Sequence, residues 1–157
     1  DHGVMGDVEF EIVRTVQAPI ADVFARLADV EGHNEWMPKK GSMLRHTRLT
    51  STGPPGLGPT YEDETRFGTM PGEIVEYDPP RRLVHHWWDS TSSGRITTEG
   101  WPGYTLEPLG DHQTIVRHHA TLRLNGAYRF ATPVMRMLAM RERRTTLEAL
   151  QRSFEKG

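Results

Sequence analysis

Ala18-Pro19-Ile20-Ala21-Asp22-Val23-Phe24-Ala25-Arg26-Leu27-Ala28-Asp29 decides the reading of this chain. It follows an alternating run at 8–17, where Val8, Phe10 and Ile12 share one parity and Glu9, Glu11 and Val13 the other, the pattern of a half-buried strand. Pro19 supplies the fixed φ of a first helical position, and Ile20, Val23, Phe24 and Leu27 recur at helical spacing on one face. The polar break Glu31-Gly32-His33-Asn34 ends that helix, and a second helical turn is expected around Glu35 and Trp36 before Pro38 stops it. A strand, a Pro-started helix and a Trp-Pro corner, followed by more strands and one closing helix, describe a sheet wrapped around a helix. Such a wrap leaves a hole in which a ligand can sit.

Outward from this segment the pattern becomes strand after strand. Strands are expected at 43–50, 60–67, 73–77, 83–90, 95–108 with an interruption near 100–103, and 114–124. They are punctuated by Gly53-Pro54-Pro55-Gly56, Pro71-Gly72, Asp78-Pro79-Pro80, Ser92-Ser93-Gly94 and Gly110-Asp111, which favours an antiparallel meander. The Gly- and Pro-rich connection 51–59 reads either as a gate or as a plain solvent loop. From 127–154 the chain turns to helix formers, with Phe130, Met137, Met140, Leu147, Leu150 and Phe154 as an apolar stripe and Pro133 marking N1 or a kink. The charged set Arg136, Arg141, Glu142, Arg143, Glu148, Arg152 and Glu155 reads as its solvated face. The class is therefore α+β: a seven-stranded curved antiparallel sheet, two short helices after the first strand, and a long C-terminal helix.

A chain of 157 residues is enough to bury a real core within one domain, expected at 8–156. Residues 1–7 are set aside as an N-terminal tail, in which Asp1-His2-Gly3 reads as a processing or expression remnant. With 19 basic and 21 acidic residues there is no electrostatic case for nucleic acid or an anionic membrane as partner. The absence of cysteine excludes disulfides, thiolate catalysis and Cys-based metal sites. No apolar run approaches the ~18 residues of a membrane span, nothing resembles a signal peptide, and a cytoplasmic protein, monomer or homodimer, is expected.

Several short stretches carry a resemblance: Ala18-Pro19-Ile20 with Val23-Phe24 and Leu27, Trp36 with Pro38, Gly56 with Gly58, Glu76-Tyr77-Asp78-Pro79-Pro80-Arg81-Arg82-Leu83, Tyr104 with Leu106-Glu107-Pro108, and the closing amphipathic helix. In this order they make the chain resemble the START/SRPBCC (birch-pollen-allergen-like) superfamily, and within it the polyketide cyclase/dehydrase and lipid-transport-like branch. The resemblance implies the helix-grip fold, with a deep cavity between sheet and C-terminal helix that takes a lipid, polyketide or aromatic metabolite. It implies no cofactor and transfers no catalytic motif.

Parity then selects the residues that face this cavity. In Thr60-Tyr61-Glu62-Asp63-Glu64-Thr65-Arg66-Phe67 the charged set Glu62, Glu64 and Arg66 belongs outside, which turns Tyr61, Asp63, Thr65 and Phe67 inward. A carboxylate in an apolar wall has its pKa raised toward acid–base duty; alternatively Asp63 sits at a wet mouth or pairs with an arginine. In Leu83-Val84-His85-His86-Trp87-Trp88 both parities offer the same chemistry, and by analogy with relatives His85 and Trp87 are set inward, where His85 is a candidate proton carrier. His118 is chosen over His119 because Val116, Ala120 and Leu122 share its parity. A metal site from His85 and His118 is discounted, since another strand is expected between them. Tyr77 and Tyr104 are candidate hydroxyl donors, Trp36, Met137 and Met140 candidate apolar walls, and Arg141 or Arg144 a conceivable clamp at the mouth.

Three functions follow as expectations: an apolar-ligand binder, a cyclase/dehydratase using Asp63, His85, His118 and a tyrosine, or a regulatory domain whose cavity is plugged by Trp87, Trp88 and Trp101.

Overall fold

The computed structural model describes residues 7–38, 42–52, 56, 58–66 and 68–155. Phe67, and residues 53–55 and 57 of the 51–59 connection read above as a gate or loop, lie outside the described residues. The elements are β1 (Asp7–Val16), α1 (Ile20–Ala28), α2 (His33–Trp36), β2 (Leu44–Leu49), β3 (Thr60–Thr65), β4 (Gly68–Asp78), β5 (Arg82–Ser90), β6 (Ile96–Pro108), β7 (Thr114–Leu124), a 3₁₀ segment (Gly126–Ala131) and α3 (Thr132–Ser153). All strand pairs are antiparallel in one curved sheet of order β1-β7-β6-β5-β4-β3-β2, so β1 closes on β7 and the rest is a meander. This is the helix-grip α+β architecture.

Local chemistry explains the elements. Pro19 stands at the N-cap of α1, Asp22 in its first turn and Arg26 in its last, signs that suit the helix dipole. Val23, Phe24, Leu27 and Ala28 form the buried face of that helix. Along β7 burial alternates without a break, placing Thr114, Val116, His118, Ala120, Leu122 and Leu124 on the concave side. Ile12, Val16, Leu83, Leu106 and Val116 meet Phe24, Leu27, Leu147 and Leu150 in the principal core, which clamps the C-terminal half of α3, while Met135 and Ala139 of its N-terminal half pack against Val8, Leu122 and Leu124.

Two expected breaks in the sheet prove to be continuous strand. Pro71-Gly72 lies inside β4 rather than at a turn, because Gly72 makes room for the Tyr61 ring: a Cβ there would come within 2.4 Å of it. Residues 100–103 lie inside β6, where Gly100 accommodates the Trp87 indole in the same way. What lapses there is the ladder, since the paired residues of β5 and β6 skip His85 and His86, opposite a Pro102 that has no N–H to donate.

Candidate functional site

A cavity of about 170 Å³ lies between the concave face and α3. Leu44, Met70, Trp87, Pro102, Leu122, Met135, Leu138 and Ala139 make its apolar wall, and His33, Tyr61, Asp63, Thr65, His85, Tyr104, Glu142 and Arg143 its polar one. Strand parity brings Tyr61, Asp63, Thr65, His85, Trp87 and Tyr104 here.

Two hydrogen-bonded pairs organise the polar wall. In the first, Tyr61 Oη lies 3.0 Å from His85 Nδ1. Burial pushes the Tyr61 phenol well above its usual range and holds His85 down at about 3, helped by the nearby His33 and Arg143. Tyr61 therefore keeps its proton, and the two groups form a neutral hydrogen-bonded pair. His33, 6.3 Å away ring to ring, donates from Nε2 to the Leu27 carbonyl at 2.8 Å, and burial lowers its pKa to about 4.

In the second pair Arg143 donates from Nε to His118 Nε2 at 2.8 Å and from Nη2 to Tyr104 Oη at 3.0 Å. His118 donates from Nδ1 to the Gly103 carbonyl at 2.8 Å, which fixes the tautomer that leaves Nε2 as acceptor. Burial, then the Arg143 charge, keep it well below its usual pKa. The Tyr104 ring stacks on this imidazole at 4.3 Å between centroids.

Asp63 faces the same space from β3. Desolvation raises its pKa; the hydroxyl of Thr47, its cross-strand neighbour, and the Arg143 charge oppose that without reversing it. Carboxyl NMR is expected to show Asp63 titrating above the usual aspartate range of about 3.9, and Asp63→Asn to delete that titration. A normal value would place the group in bulk water instead.

Several expected site residues are elsewhere. His118 does not line the cavity: both ring nitrogens are engaged behind Tyr104 and Arg143, so it positions the guanidinium and is not placed to transfer a proton or, with β6 intervening, to share a metal with His85. Tyr77 faces inward opposite Leu83, but at the α1 end of the sheet, where its ring packs edge-on against Phe24 at 5.4 Å. Trp36 lines a separate cleft with Arg26, Arg152 and Ser153; its neighbours His33 and Met37 reach the cavity instead. Met137 is 63% exposed, and Met140 is half-buried off the cavity wall. Trp88 and Trp101 flank His86 on the opposite face of the sheet, so they do not plug the chamber.

The helix phase is the main correction. The face of α3 that meets the cavity is Met135, Leu138, Ala139, Glu142, Arg143 and Thr146, whereas Arg141 and Arg144 point to solvent. Arg143, Glu142 and His33 are the residues that the sequence reading missed. A signal existed for the first, since Arg143 is four residues before Leu147 and seven before Leu150, on one face with both.

Fold and cavity together define a helix-grip protein with a chamber of mixed polar and apolar lining. The chain belongs to the family described as polyketide cyclase/dehydrase and lipid transport, which matches residues 7–155. Among solved structures it is similar to the Zhui aromatase/cyclase of Streptomyces sp. R1128 (TM-score 0.76, 14% identity, 95% of this chain and 94% of that one). It is also similar to a START superfamily protein of Mycobacterium smegmatis (TM-score 0.72, 12% identity, 94% and 97%). A further similarity is to the di-domain aromatase/cyclase BexL of the BE-7585A biosynthetic pathway, with 99% of this chain on 52% of that one (TM-score 0.73, 18% identity). No curated protein matches the chain in sequence. Among the described residues no helix is long and apolar enough to cross a membrane.

Proposed function

We propose that the protein binds one hydrophobic small molecule in the chamber between the sheet and α3. The observation that carries this is the cavity itself: an apolar wall with a few convergent polar groups, the usual composition of a small-molecule site. Its volume of about 170 Å³ falls below the ~300–1,000 Å³ of typical ligand pockets, which favours a compact ring system over a long-chain lipid.

The cyclase/dehydratase reading takes second place for a specific reason. Tyr61 Oη and His85 Nδ1 do share one point in space, but a histidine with a pKa near 3 is too weak a base to abstract a proton at neutral pH. Asp63, with its raised pKa, is the cavity group better suited to such chemistry.

The test uses the neutral two-ring aromatic 2-naphthamide in titration calorimetry, with Ala139→Trp as the blocked form. Wild type is expected to bind one equivalent, and the indole at 139 to weaken binding by about tenfold or more without loss of the fold. Unchanged affinity in Ala139→Trp would move the ligand out of this chamber.

A further inference from the structure

The cavity holds a guanidinium, Arg143, that makes no ion pair among the described residues. Arg143 is half-buried, and both side chains it bonds, His118 and Tyr104, are neutral. The adjacent carboxylate is already committed: Glu142 Oε2 accepts from the Ser42 hydroxyl at 2.5 Å and Oε1 from the Met43 N–H at 2.9 Å. The other cavity carboxyl, Asp63, makes no ion pair with Arg143 among the described residues, and burial biases it toward the neutral form.

A partly desolvated guanidinium without a directly paired carboxylate is costly unless something supplies one. The donors left over fit that supply. Nη1 of Arg143 makes no protein hydrogen bond among the described residues, and Tyr104, having accepted from Nη2, keeps its own O–H to donate. A planar fork beside a phenol is a good match to a carboxylate. Around this pair the wall is Pro102, Leu122, Met135 and Leu138, which suits the apolar body of the same molecule.

We infer that the ligand is a compact apolar monocarboxylate, its carboxylate held by Arg143 and Tyr104 and its ring or chain lying against Leu122, Met135 and Leu138. His118 acts through Arg143, as the acceptor that fixes the plane of the guanidinium, and the Gly103 carbonyl in turn fixes His118. This rests on the chamber being a ligand site at all, and the experiment separates the two.

The probes are 2-naphthoate and 2-naphthamide, alike in shape and different in charge, titrated into wild type, Arg143→Gln and Arg143→Lys at neutral pH. Wild type is expected to prefer the carboxylate by about tenfold or more, Arg143→Gln to bring the two probes within about twofold, and Arg143→Lys to keep a reduced preference of the same sign. Equal affinities in wild type, or a preference that survives Arg143→Gln, would overturn the inference while leaving the chamber a neutral-ligand site. Failure of both probes to bind wild type would remove the binding reading and this inference with it. If Arg143→Gln does not fold, the wild-type and Arg143→Lys comparisons still decide.

Discussion

Lowering the pH from about 7.5 to about 5.5 is expected to reduce the melting temperature by roughly 8–15 °C, from a loss of about 4 kcal/mol. The cause is the set of buried histidines. His33 and His85 are held near 4 and 3, and His118 well below its usual value, all chiefly by desolvation. In the unfolded chain each regains a pKa near 6.5, so below that point the unfolded state binds protons that the folded state refuses. Stability is complete above about 6.5 and is lost as pH falls from there toward the folded values, at about 1.4 kcal/mol per histidine per pH unit. Asp63 works in the opposite sense, because its raised pKa makes the folded state the better proton binder as acid is added, but it is one group against these three and His119, which partial burial and the Arg82 charge also lower. Thermal melts across this range check the prediction, and a flat profile would mean that the three imidazoles reach water in the native state. His85→Gln should remove about a third of the slope.

Gly72→Val is expected to cost about 3–5 kcal/mol, the sum of overpacking and of a buried imidazole left without its partner. A Cβ at 72 would sit 2.4 Å from two carbons of the Tyr61 ring and 2.7 Å from its hydroxyl oxygen. Tyr61 is a rigid aromatic side chain, 5% exposed, so it has little room to give. Displacing it breaks the hydrogen bond to His85, the neutral lid on that end of the chamber. Urea unfolding measures the loss, and Tyr61→Phe isolates the hydrogen-bond share at about 1–3 kcal/mol. If Gly72→Val is as stable as wild type, the ring is not locked against the backbone of β4.

How far the site was legible follows from the same residues. Period-two alternation is a local property: it put Tyr61, Asp63 and Thr65 on one face, and the inward parity of His85 and Trp87 came from the resemblance; all five line the cavity. Tyr77 faces inward opposite Leu83 but at the α1 end of the sheet, and its packing on Phe24 is set by a distant segment that leaves no mark in the neighbouring residues. Pro71-Gly72 misled because glycine and proline punctuate turns far more often than they serve as a bed for a tyrosine ring across the strand. The error on α3 was of a different kind. Assigning Glu142 and Arg143 to the solvated face, and the mouth to Arg141 or Arg144, broke the stripe and diverted it through Met140 and Met137.

The amino-acid order alone determined the architecture, because strand alternation, the Pro19 start and the amphipathic closing helix are each written in a handful of neighbouring residues. It also determined that the concave side would carry tyrosine, aspartate and histidine. The tertiary structure alone decided what those groups are chemically: enclosure turned three histidines neutral, set His118 behind the wall as a support, and brought Arg143 inward to face Tyr104. The reason is that a charge is tolerated in such a place only when distant segments supply its hydrogen-bond partners, and those segments, β6, β7 and α3, meet only once the sheet has curled around the helix.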